Sequence, residues 1–117
     1  MKAQWHDDAL RLRVDEGELA RLLAGESLRL QARLHGRPLF ALELRVGEAL
    51  AFFAGECWQC ELPSSALREY VATLPRRDPL LLWPDAEDAG SLRLDFEVDV
   101  RDSRKQRGPA VRDRTPA

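Results

Sequence analysis

The segment Ser27–Val46 constrains the fold more than any other part of this chain. Leu28, Leu30, Ala32 and Leu34 alternate with Arg29, Gln31 and Arg33, and Phe40, Leu42, Leu44 and Val46 alternate with Ala41, Glu43 and Arg45. A period of two puts each set on its own strand face, one for a core and one for water. Between the runs, His35-Gly36-Arg37-Pro38 reads as a turn. Gly36 takes positive φ at little cost, and Pro38 has no N–H to give a central ladder. The segment predicts a β-hairpin with one apolar face.

The same rhythm marks the flanks. Residues 1–8 are polar and are expected to form a flexible terminus. Leu10, Leu12 and Val14 alternate with Arg11 and Arg13 in a short strand. Asp15 then has the character of an N-cap, and Glu18, three positions on, completes a capping box. Leu19, Leu22 and Leu23 form a helical face, with Gly25 placed to stop it. After the hairpin, 49–62 predicts one bulged strand or two short ones meeting near Gly55. Pro63 opens a second helix, capped at Ser64 or Ser65, with its stripe at Leu67, Tyr70, Val71 and Leu74 and its end at Pro75. Leu80 to Trp83 reads as a buried strand. An acidic loop (Asp85, Glu87, Asp88) follows, then a last strand with Leu92, Leu94, Phe96, Val98 and Val100 on one face.

The expected order is β-α-β-β-β-α-β-β in one domain over 9–100. Its fold class is α+β: a mostly antiparallel sheet of about five to six strands with two helices on one face, ferredoxin-like or a half-open barrel. From residue 101 onward, charge, Gly and Pro without periodicity predict a disordered tail.

Charge narrows the function classes. Residues 1–100 have a net charge of −6 and 101–117 one of +4. An acidic body is a poor match for a nucleic-acid-binding domain, and the tail (Arg101, Arg104, Lys105, Arg107, Arg112, Arg114) offers at most a weak contact. Arginine outnumbers lysine 16 to 2, and the chain has no Asn or Ile. That bias is the mark of GC-rich codons, so the arginines do not by themselves signal phosphate binding. No run reaches the roughly 18 apolar residues of a membrane helix, and no apolar leader stands at the start. The expectation is a cytoplasmic protein that does not contact membrane.

Three groups invite chemistry. Cys57-Trp58-Gln59-Cys60 has the spacing of a redox or half-zinc motif, but an extended backbone sends the two sulfurs to opposite faces. A zinc site would also need His6 and His35, from a terminus and a hairpin tip. Asp95, Glu97 and Asp99 line one face of the last strand. They are either a metal- or phosphate-handling carboxylate row or partners for arginines on neighbouring strands. No nucleophile–base arrangement, phosphate loop or dinucleotide fingerprint appears, so no cofactor or resident metal is expected.

Leu10-Arg11-Leu12-Arg13, Phe40-Ala41-Leu42-Glu43, Pro63 and Asp95-Phe96 resemble the pattern of a family of small uncharacterised bacterial proteins, a domain of unknown function. The resemblance covers roughly 9–100 and implies the α+β fold, with no activity attached. The functional expectation is a non-enzymatic domain that binds a protein partner or a second copy of itself. The candidate surface is the charged sheet face: Arg11, Arg13, Arg29, Arg33, Glu43, Arg45, Asp95 and Glu97.

Overall fold

The computed structural model describes residues 1–85, 87 and 91–100. In chain order the elements are β1 (Lys2–His6), β2 (Ala9–Asp15), α1 (Glu16–Leu23), β3 (Leu28–Leu34), β4 (Arg37–Gly47), β5 (Ala51–Phe53), β6 (Trp58–Pro63), α2 (Ser64–Ala72), β7 (Leu80–Leu82) and β8 (Arg93–Asp99). The class is α+β. The tail from residue 101, and Asp88 of the acidic loop, lie outside the described residues.

Local signals act as their chemistry requires. The β3–β4 hairpin closes through His35 and Gly36, both at positive φ (53° and 73°), the pairing of signs a two-residue type I′ turn needs. Pro38 lies beyond the stretch of β4 that pairs with β6, so its missing N–H costs no central bond. Asp15 accepts from the Glu18 N–H at 2.7 Å, and the Asp15 N–H donates to the Glu18 carboxylate at 3.0 Å. At the other end the Gly25 N–H bonds Leu22 and the Glu26 N–H bonds Arg21, with Gly25 at φ 93°. This is a Schellman stop. Helix α2 is less tightly closed: Pro63 is its N-cap rather than its first helical residue, no side chain caps it, and it ends at Ala72, ahead of Leu74.

The tertiary arrangement departs from a single antiparallel sheet, ferredoxin-like or a half-open barrel. There are two four-stranded sheets, sheet A in the order β1-β2-β8-β7 and sheet B in the order β3-β4-β6-β5. Each has a parallel pair at its centre, β2 with β8 and β4 with β6, flanked by antiparallel neighbours. The helices do not share one face of one sheet, because α1 borders β2 and β8 of sheet A and also β3 and β4 of sheet B. The eighth strand is β1, in the segment expected to be loose. It pairs along its whole length with β2 around the turn at Asp7 and Asp8, with Asp7 at φ 51°. Alternation fixes which face a residue occupies and leaves its neighbouring strand open.

The two sheets conceal a repeat. The halves β1-β2-α1-β3-β4 and β5-β6-α2-β7-β8 have the same order, and each sheet takes one hairpin from each half. Pairing registers align Leu12 with Cys60, Val14 with Leu62, Leu42 with Leu94 and Leu44 with Phe96. The helices align Leu19 with Leu67 and Leu22 with Tyr70. All twelve are buried in one continuous core. Neither half holds a complete sheet, so each can bury its apolar face only against the other.

Candidate functional site

The eight charged candidates divide between the two outer faces. Arg11, Arg13, Asp95 and Glu97 lie together on sheet A. Arg29, Glu43 and Arg45 lie on sheet B, and Arg33 sits near the end of its hairpin. Sheet A's outer face is a grid set by register: Lys2, Arg13 and Glu97 in one row, Gln4, Arg11, Asp95 and Leu81 in the next, His6, Ala9 and Arg93 in the third.

Here the acids are held by arginines. Arg93 grips Asp95 through two hydrogen bonds, Nε to Oδ1 at 2.7 Å and an NH2 group to Oδ2 at 3.0 Å. The carboxylate holds the guanidinium proton more firmly in return, raising the Arg93 pKa. Asp95 is only 3% exposed, so this fork satisfies a carboxylate that would otherwise be buried unpaired. Glu97 accepts from Arg13 Nε at 3.2 Å and lies 3.8 Å from Arg11 Nε. Asp95 and Glu97 of the carboxylate row thus face arginines of their own and the neighbouring strand, while Asp99 lies opposite Asp15 in register. Among the described residues no group of three His, Cys, Asp or Glu is placed to hold a metal ion.

Two adjoining hollows open on this face, sharing Gln4 and Arg11. Lys2, Arg13 and Glu97 complete the first, and His6, Ala9, Arg93 and Asp95 the second, whose volume is about 240 Å³. Four permanent cations (Lys2, Arg11, Arg13, Arg93) meet two acids, leaving a positive surplus on an acidic body. No Ser, Thr, Cys or Tyr lines either hollow. The cations offer attraction and hydrogen bonding toward carboxylates or phosphates. Sheet B differs: Arg29 with Glu43 at 3.7 Å and Arg45 with Glu61 at 3.1 Å balance one to one.

Lys2, Gln4, His6 and Arg93 were not among the expected site residues. The signal was faint but present, since Lys2, Gln4 and His6 alternate with Ala3 and Trp5. Only a strand partner gives that alternation meaning, and β2 supplies it.

The cysteine pair is split by the start of β6. Cys57 precedes the strand and is partly buried, while Cys60 is fully buried, and both are free thiols. Burial pushes the Cys60 pKa from 9.0 up to about 12. Trp58, between them, packs edge-on against Trp5 (5.4 Å) and Phe40 (5.2 Å), joining the two sheets at one end of the core. Among the described residues no helix is long and apolar enough to cross a membrane. No family model matches the chain, and no curated protein matches it.

Proposed function

We propose that this is a small non-enzymatic domain that docks a protein through the outer face of sheet A, carboxylates of the partner entering the hollows around Arg11. The observation that carries the reading is the lining of the two hollows, where four permanent cations meet two acids. Lys2, Arg11, Arg13 and Arg93 converge there on Asp95 and Glu97, a local surplus of two cations on a face whose far row, Asp15 and Asp99, is acidic. Arg11 is half exposed and only 3.8 Å from its shared acid, so an incoming carboxylate meets a guanidinium with donors to spare. A second copy of the chain is the alternative occupant, because its body is itself acidic.

Lys2→Glu with Arg11→Glu tests this without touching the core. The double variant is expected to fold normally and to lose the partner recovered with wild type from its native source, or the dimer mass seen by light scattering. Retention of both partner and mass would rule out this face.

A further inference from the structure

The β3–β4 hairpin leaves a long sheet edge open, away from the outer face of sheet A. Among the four edge strands, β5 and β7 are three residues long and β1 five, lengths that leave little free ladder. Strand β3 has seven residues, contains no proline, and no described strand pairs with its outer edge. Strand β4 also runs on past its neighbour, with Arg37 to Ala41 beyond the stretch paired to β6. The result is a two-stranded arm, with Leu34 and Leu39 at 55% and 67% exposed near its end.

The arm's side chains are sorted as sharply as its backbone. From Leu28 to Leu42 there is no acid, while Arg29, Arg33 and Arg37 provide three cations. Arg29 spends its charge on Glu43, whereas no ion pair to Arg33 or Arg37 occurs among the described residues. Along β3, Arg29, Gln31 and Arg33 take one face and Leu30, Ala32 and Leu34 the alternate positions.

We propose that β3 accepts an added strand from a partner protein whose extended segment alternates acidic and apolar residues. Main-chain hydrogen bonds to the free edge supply affinity, while acids opposite Arg29 and Arg33 and apolar groups opposite Leu30 and Ala32 set register. A second copy fits less well, because antiparallel β3 pairing centred on Gln31 would set Arg29 against Arg33, and no register supplies either with an acid.

The test uses the full chain and the peptide acetyl-Glu-Val-Glu-Leu-Glu-Val-Glu-amide, followed by backbone amide shifts and hydrogen exchange. The expected result is saturable binding with new protection between Leu28 and Arg33. Affinity should fall at least tenfold in the Arg29→Glu, Arg33→Glu variant and for a peptide N-methylated at alternate residues, whose charge is unchanged. Equal binding of the N-methylated peptide, protection centred elsewhere, or no saturable binding overturns the proposal. So does a preference for an oligonucleotide or anionic vesicles, which would make the arm a phosphate binder. Because sheet A is mapped separately by its own amides, failure of one surface leaves the other standing.

Discussion

The two halves of the molecule use one plan for different ends. In the first, β2 is basic on its outer face and meets acids on β8. In the second, β6 carries Glu61 and meets Arg45 on β4. The central ion pair is thus present in both sheets with its polarity reversed, Arg13–Glu97 in one and Glu61–Arg45 in the other. Inside, sheet A pairs Leu12 with Phe96 where sheet B has Cys60 beside Leu44. Tyr70 of α2 reaches across to Phe96, with ring centroids 6.3 Å apart, and its hydroxyl donates to the Asp78 carbonyl. The aligned interior positions are buried in both halves, while the surfaces differ. The first half's hairpin extends as a long arm, and the hollows of sheet A hold a local surplus of cations.

The comparison breaks most readily in the core. Phe96→Ala should cost about 3–5 kcal/mol and its counterpart Leu44→Ala about 2–5, each lowering a single urea transition seen alike by near- and far-ultraviolet circular dichroism. Two separated transitions in either variant would mean that the halves are independent. Sheet B has a thiol, Cys60, in its core, and its titration gives the next effect. Below about pH 9 the Cys60 thiol is neutral folded or unfolded and stability is unaffected. Between 9 and about 12 the unfolded chain releases the proton first, so stability should fall by up to about 1.4 kcal/mol per pH unit. Cys60→Ala should lack that added slope, while in the native state alkylating reagents label Cys57 and spare Cys60. Helix ends come third. Asp15→Ala should cost about 0.5–2 kcal/mol in urea unfolding, and Pro63→Asp should recover up to about 1 kcal/mol by giving α2 the cap it lacks. Smallest are the mirrored ion pairs. Double-mutant cycles on Arg13/Glu97 and Arg45/Glu61 should each give about 0.2–1 kcal/mol, shrinking with salt.

How much was legible follows from the range of each signal. The capping box at Asp15, the stop at Gly25, the turn at Gly36 and the alternation of β2, β4 and β8 are local, and all are readable residue by residue. Strand β1 was not, because Ala3 and Trp5 are its only inward apolar groups and a polar edge strand resembles a loose terminus. The insertion of β6 between β4 and β5 was also invisible, since a period of two is the same whichever strand lies alongside. The repeat has little identity: of the six aligned core pairs, Leu19 with Leu67 and Leu42 with Leu94 match and the other four differ. It shows only once registers pair Leu12 with Phe96 and Cys60 with Leu44. Of the site, Arg11, Arg13, Asp95 and Glu97 were found as one face. Arg29, Arg33, Glu43 and Arg45 were grouped with them because one sheet was assumed where two exist.

Hexaglutamate, which has charge but no apolar alternation to suit the β3 edge, is the direct probe of sheet A. Titrated into the full chain and followed by backbone amide shifts, it should move Lys2, Gln4, Arg11 and Arg93 together along one saturable curve. Their counterparts Ala51, Phe53, Gln59 and Ala41 on sheet B should stay still. Shifts centred on sheet B, or none that saturate, would contradict the assignment of the docking surface.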